Sequence, residues 1–385
     1  MARDPFKRTV ALAGVAESEC GHGAGLSVLQ HQALAASRAL DDAGIAKSEV
    51  DAVLAVGFQG LPSVQIAEYL GIKPRFTDTT VTGGSAFENL VEHGALAIAA
   101  GLCEVALITY GSTLWSDRRR VTDGGGLDLT APAAQFDTPY GDLSPISAYA
   151  LATTRHMHRF GTTSEQLAEV AVSTRKWASL NPRALVREPI TVDDVLDSPM
   201  VSSPLHKLDC CLMTDGGGAV VLTSAERARD LRKPPVYLLG SGFSSTHLTI
   251  GQMEHLTSTG AVESGRRAFG LAGIKPEDVD VVEIYDSFTI SVVLALEDLG
   301  FCQKGEGGSF VQGGRLGPGG ALPANTSGGG LSHTHPGALG IFLIIEAVRQ
   351  LRGECGERQV PGAGLSCVHG IGGWLSSHAT LVLGR

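Results

Sequence analysis

One stretch of this chain repeats another at a fixed distance, and no other feature limits the fold as much. From Asp41 the sequence reads DDAGIAKSEVDAVLAVG; from Phe269 it reads FGLAGIKPEDVDVVEIYD. Gly44 and Gly273 are 229 residues apart, and the same offset carries Arg38 onto Arg267, Val50 onto Val279 and Asp51 onto Asp280. The agreement runs through a helix, a glycine stop and a strand, which is the signature of a duplicated βαβ unit. Each half then continues with a glycine-rich loop, a helix and a strand. The expected division is residues 1–230 for the first half and 231–385 for the second.

Hydrophobic periodicity fills in the halves. Thr9 to Ala16, Val50 to Val56, Phe76 to Val81 and Glu104 to Thr109 read as strands. Leu26 to Ala43, Ser63 to Leu70 and Ala86 to Ala100 read as helices between them, an alternating α/β order. From about 116 to 203 polar segments marked by Gly and Pro alternate with helices, such as Pro145 to Arg159 and Ser164 to Leu180. That stretch reads as an inserted lobe. Gly216 to Thr223 returns to strand, and Pro234 to Ser244 begins the second half.

Composition excludes several classes. The 385 residues are 43% hydrophobic and 18% charged, enough for a large core. Formal net charge is −10 without a long basic tract, which argues against nucleic acid as a partner. No apolar run approaches the roughly 18 residues of a membrane span. The N-terminal apolar run is too short for a signal peptide. Seven cysteines, without CxxC spacing, read as reduced thiols of a cytosolic protein rather than a disulfide framework or a metal site.

The chemistry concentrates in NTSGGGLSHTHPGALG, Asn325 to Gly340. Glycine-rich backbone lets a ligand approach closely and leaves N–H groups free to meet developing negative charge. His335, between Thr334 and Pro336, is placed to donate to a carbonyl oxygen, with His333 two residues away.

These residues resemble a known family. The duplicated halves, His335-Pro336, the DCCxxxDGGGAVVL run from Asp209 and YDSF from Tyr285 look like the thiolase superfamily. The branch they resemble is that of sterol carrier protein x and bacterial lipid-transfer-protein-like thiolases. EDLGFCQKGEGGSF and LPANTSGGGLSHTHPG carry that branch. The resemblance implies a five-layered αβαβα fold, a homodimer, a coenzyme A thioester as substrate and no further cofactor.

Three departures redirect the chemistry. Thiolases place a nucleophilic Cys at a helix N-terminus, where its pKa falls. Here VTGGSAF puts Gly84 at that position and Ser85 beside it. The branch has His-Asp-Cys-Phe where this chain has Tyr285, Asp286, Ser287 and Phe288. Near the C-terminus Cys367 is followed by Val368 and His369, and the Gly370 to Gly373 turn aligns with a form lacking the acid/base Cys.

A site that keeps an enolate hole and loses its acyl acceptor can still cleave a Cα–Cβ bond by a retro-aldol step, which needs proton transfer and no covalent intermediate. The chain is similar in this to the thiolase-like aldolases that shorten steroid side chains in bacteria. The expected catalytic set is Tyr285, His335, His333, Asp286 and His369, with Tyr285 serving as base or relay if cations lower its pKa. Gly84, Ser85, Ser287, Gly329, Gly330 and Gly372, with Arg118 and Arg119 for phosphate, form the expected substrate- and CoA-binding set. The aldolases it resembles work with a small partner that combines an OB fold and a zinc ribbon, so such a partner is implied. Two alternatives stay open: an acyltransferase using another Cys, and a non-catalytic acyl-CoA-binding subunit of a complex.

Overall fold

A computed structural model describes residues 8–57, 60–122, 130–141 and 144–385. Its strands, in chain order, are β1 (Val10–Glu17), β2 (Ala52–Val56), β3 (Phe76–Thr80), β4 (Val105–Ser112), β5 (Met200–Ser202), β6 (Leu205–His206), β7 (Gly216–Ser224), β8 (Val236–Ser245), β9 (Val281–Ile284), β10 (Leu365–Gly372) and β11 (Ser377–Gly384). Nine of them share one sheet in the order β3-β2-β4-β7-β1-β8-β11-β10-β9, and β5 and β6 form a separate hairpin.

The join between β1 and β8 is two residue pairs, Ala11 with Tyr237 and Leu12 with Val236. The sheet therefore divides into β3-β2-β4-β7-β1 and β8-β11-β10-β9. Helices Ala86–Ala99 and Gly340–Arg352 pack against strands of both parts and form the central layer. Helix Val28–Ala43 covers β1, β7 and β4 from outside, and Ala261–Ala272 covers β8 and β11. The layers run αβαβα, as the resemblance implies.

The repeat is visible in local detail. Helix Val28–Ala43 ends at Gly44 and Ala261–Ala272 ends at Gly273, both left-handed, with φ of 71° and 69°. Only glycine takes that conformation without cost. Asp51 then accepts the backbone N–H groups of Glu104 and Val105 at 2.9 Å each. Its counterpart Asp280 accepts those of Gly364 and Leu365, at 2.8 and 2.9 Å. Each aspartate thus ties the start of one parallel strand to its neighbour, β2 to β4 and β9 to β10. Among the described residues the second part has no full equivalent of β3; a single parallel bridge, Val282 with Ala324, stands there.

Between β4 and the antiparallel β7 the chain makes its long excursion. Helices Pro145–Phe160 and Ser164–Ser179 are its main elements. A capping box starts the second, with Thr163 and Gln166 exchanging hydrogen bonds. Tyr149, on the first, packs on Phe288 with ring centroids 4.6 Å apart, which brings this region against the end of β9.

Candidate active site

Tyr285 follows the last residue of β9, on the face shared with Glu283, toward the central helices. Its N–H bonds the His369 carbonyl on β10 at 2.9 Å. Its ring lies over Gly84: a Cβ added there would come within 2.6 Å of Tyr285 Cζ and 2.5 Å of the Ile371 carbonyl oxygen. The space a side chain at Gly84 would need, the position matched to the thiolase nucleophile in the sequence, is therefore filled by the tyrosine ring, and glycine is what lets it fit.

The Tyr285 hydroxyl and His335 Nε2 are 2.8 Å apart, both side chains buried. The His335 backbone is pinned from two sides. Its N–H donates to Thr214 Oγ1 at 3.1 Å, its carbonyl accepts from the Thr214 N–H at 3.2 Å, and Tyr110 donates to the Pro336 carbonyl at 2.6 Å. Among the described residues His335 Nδ1 has no hydrogen-bond partner. Burial drives the His335 pKa down to about 4, so the imidazole is neutral. Burial also pushes the Tyr285 hydroxyl well above its ordinary range. The cations that would make Tyr285 a tyrosinate base do not lower it; it is a protonated phenol held on a neutral imidazole.

The other expected residues divide. Asp286 is fully buried and accepts the N–H groups of Gly330 and Leu331 at 2.7 and 3.1 Å. It braces the Gly329–His333 turn, and a side chain at Gly329, whose φ is 52°, would strike it. Burial raises its carboxyl to about 7 against those two donors. His333 turns toward Glu17, at 4.0 Å, with both ring nitrogens unbonded. Burial would raise the Glu17 pKa, but Arg349, His333 and Arg183 outweigh it and hold the carboxylate at about 2. His369 faces away from the Tyr285 pair. Ile284 is its register partner, so its side chain shares the outer face of the sheet, where it bonds Thr380 at 2.9 Å and His378 at 3.1 Å. His378 Nε2 donates to the Leu375 carbonyl, which fixes its Nδ1 as the acceptor from His369.

Ser85 has no base. Its hydroxyl bonds the Thr82 carbonyl at 2.9 Å and Ser377 Oγ. Ser377 lines a 440 Å³ cavity with Thr82, Gly83, Leu248, Gly372 and Trp374, directly behind the Gly84 loop. A second cavity of 460 Å³ lies between Phe136, Tyr140, Leu151, Ser202 and Ile250. Ser287 bonds Ser291 at the start of the following helix. Arg118 donates to the Trp115 carbonyl at 2.6 Å and lies 3.8 Å from that ring's centroid. The Arg119 side chain lies outside the described residues.

All seven thiols are raised by burial. Cys20, Cys210, Cys302 and Cys367 reach about 12 and Cys103 about 11; Cys211 and Cys355 go higher. None is a thiolate near neutral pH. One acid went unread in the sequence pattern: Glu88, four residues after Gly84, is fully buried, and neither carboxyl oxygen is bonded among the described residues.

Known proteins fit this picture. A family described as thiolase C-terminal domain-like matches residues 242–385. An acetyl-CoA acetyltransferase of Methanothermobacter thermautotrophicus is 36% identical, covering 98% of this chain and 100% of the relative. A steroid side-chain-cleaving aldolase of Thermomonospora curvata is also 36% identical, over 89% of this chain and 90% of its own. The solved structure of an Ltp2-ChsH2(DUF35) aldolase superposes with a TM-score of 0.89 at 34% identity, over 99% of this chain and 98% of that one. With a relative this similar along its whole length, and with the layered fold in place, the chain belongs to the thiolase superfamily.

Proposed function

We propose that this chain is a thiolase-fold lyase that splits a β-hydroxyacyl-CoA, of a steroid or similarly bulky side chain, into a ketone or aldehyde and a shorter acyl-CoA. One observation carries the reading: Tyr285, bonded to His335, occupies the volume of the missing nucleophile. The β-hydroxyl passes its proton to the Tyr285 oxygen as Tyr285 passes its own to His335 Nε2. The Cα–Cβ bond then breaks, leaving the carbonyl product and a thioester enolate. Backbone at Gly84 and Gly372 meets the enolate charge; the Gly329 and Gly330 N–H groups are spent on Ser327 and Asp286 and hold the turn instead. The pair returns the proton to Cα, so nothing is consumed. His333, Asp286 and His369 act from behind, holding loops and strands.

The aldolase names of two relatives support this reading. The name of a third, an acetyltransferase, favours acyl transfer, but that chemistry needs a thiolate, and the pKa of each of the seven thiols is raised. The cavity at Gly372 and the one between Tyr140, Leu151 and Ile250 are the places for the CoA ester. A homodimer in the cytoplasm, with a small OB-fold, zinc-ribbon partner, completes the reading. The two-component name of the solved aldolase supports a partner. No cofactor beyond the thioester enters the scheme.

The test is product mass spectrometry on a panel of β-hydroxyacyl-CoAs, with the chain alone and with a partner of that kind. Tyr285→Phe should lower cleavage by about 10²–10⁴-fold, the usual worth of a proton-transfer group, while CoA-ester binding persists. Full activity in Tyr285→Phe would remove the proton relay from this pair.

A further inference from the structure

Glu88 belongs to no step described so far, yet its position is unusual. Helix Ala86–Ala99 presents its carboxyl to two glycines across the layer: a Cβ at Gly340 would meet Oε1 at 2.8 Å, and one at Gly370 would meet Cδ at 2.6 Å. Gly370 is the neighbour of His369, whose carbonyl holds the Tyr285 N–H, so the acid stands against the strand residue next to the one that holds the tyrosine backbone. The pseudo-symmetry of the fold makes this space. Gly101 and Gly353, both left-handed, end the two central helices. Thirteen residues back from each stand Glu88 and Gly340 (101 − 88 = 353 − 340), so the acid fills room that its counterpart leaves empty.

Among the described residues no charge attends it. The titratable groups on the elements packed against its helix are engaged elsewhere. Asp78 on β3 bonds His93, Tyr110 on β4 bonds Pro336, and Glu346 on the partner helix bonds Arg358. Arg349 and Arg352 of that helix reach Glu17 and Asp42. Cys367 shares the outward face of β10 with His369, and His378 pairs with His369. On its own helix Glu92 pairs with Arg267. A buried carboxyl with neither partner nor counter-charge is stable only in its neutral form.

We propose that Glu88 is a positioning residue of the lyase site: an uncharged carboxylic acid, it stands against the strand that holds Tyr285, and its ionisation stops the reaction by placing a bare negative charge behind the forming enolate. The inference rests on the retro-aldol reading. Burial holds the Glu88 proton up to about pH 8, so the enzyme works below that point. Above it, one ionisation removes activity roughly tenfold per pH unit.

Two measurements test this on the full chain with any partner it needs. The first is the pH–rate profile of cleavage, each variant scaled to its own plateau. The wild type should fall on the alkaline side, and Glu88→Gln, isosteric and never charged, should lose that limb. The second is melting temperature against pH. The unfolded chain releases this proton in the ordinary carboxylate range, while the folded chain keeps it to about 8, so wild-type stability drains away as pH rises between the two. The melting advantage of Glu88→Gln should grow across that window. If the Gln amide prevents folding, Glu88→Met, also uncharged, serves both measurements. An alkaline limb unchanged in the variant overturns the proposal, and so does a melting difference that ignores pH. If no β-hydroxyacyl-CoA is cleaved at all, the lyase reading falls and takes this role with it, while the melting series still reports whether the acid is neutral.

Discussion

The two parts of the sheet are built by the same local rules and used differently. In the first, Gly14 on β1 lets helix Val28–Ala43 close on the strand, with Ala43 Cβ 2.8 Å from where a side chain would begin. In the second, Gly240 on β8 does the same for Ala261–Ala272, with the Ala272 nitrogen at 2.8 Å. Ala43 and Ala272 are again 229 residues apart. The scaffold is thus held by duplicated devices. The site is not. The second part supplies Tyr285, Asp286, His335 and the Gly329–His333 turn; the first supplies an absence at Gly84 and an acid at Glu88. Symmetry placed two helix N-termini in one layer, and the chemistry came from breaking it. A ring from one half fills a gap left by the other.

The largest expected effect tests the relay side of that asymmetry. His335→Ala removes the group that takes the Tyr285 proton and should cost about 10²–10⁴-fold in cleavage rate, about 2.7–5.5 kcal/mol of transition-state stabilisation. If this variant and Tyr285→Phe both stay active, the relay is absent and the acyl-CoA-binding subunit alternative gains. The gap side comes next. Gly84→Cys restores the residue type a thiolase uses, yet the Tyr285 ring already occupies its volume. Overpacking of this kind costs roughly 1–3 kcal/mol. The variant should melt lower, cleave more slowly and show no acyl adduct by intact mass. A stable adduct would mean that the tyrosine can step aside and that the two chemistries are one substitution apart.

Much of this was legible in the sequence because the signals are local. A left-handed glycine, a helix before it and a strand-capping aspartate after it lie within a dozen residues of each other, so the offset of 229 exposes them together. Tyr285 and His335 stood out as motif residues for the same reason. What failed to read depended on register or on layers. His369 looked like a site residue because it lies near the glycine turn. Its pairing with Ile284 puts it on the outer face, and strand register is not written in any short window. His333 is two residues from His335, but the tight turn between them sends it to Glu17 instead. Glu88 belongs to no motif and drew no reading, since a helix carboxylate is normally solvated. Only the layer it enters, closed on both sides by strands, makes it a buried one.

The smallest expected effect asks whether the duplicated devices carry equal weight. Asp51 and Asp280 each accept two strand-leading N–H groups, so Asp51→Ala and Asp280→Ala each strand two donors. One stranded donor costs about 1–3 kcal/mol when fully buried, and these positions, partly open to water, belong at the lower end of that range. Asp51 has one contact more. Arg75 reaches its Oδ2 at 2.7 Å, but with a side chain 60% exposed the pair adds well under about 1 kcal/mol. Asp51→Ala should therefore destabilise slightly more than Asp280→Ala, and the excess should vanish in an Arg75→Ala background. Acid sharpens the comparison. Burial raises the Asp51 pKa, but the Val105 and Glu104 N–H groups and Arg75 outweigh it and hold the carboxylate below its ordinary value. Its stabilisation is then complete above the ordinary aspartate range and is lost as pH falls through the lowered value. Melting temperatures of wild type and Asp51→Ala should converge on acidification. If they stay parallel down to acid unfolding, the cap is not electrostatic and the duplicated aspartates hold the strands by shape alone.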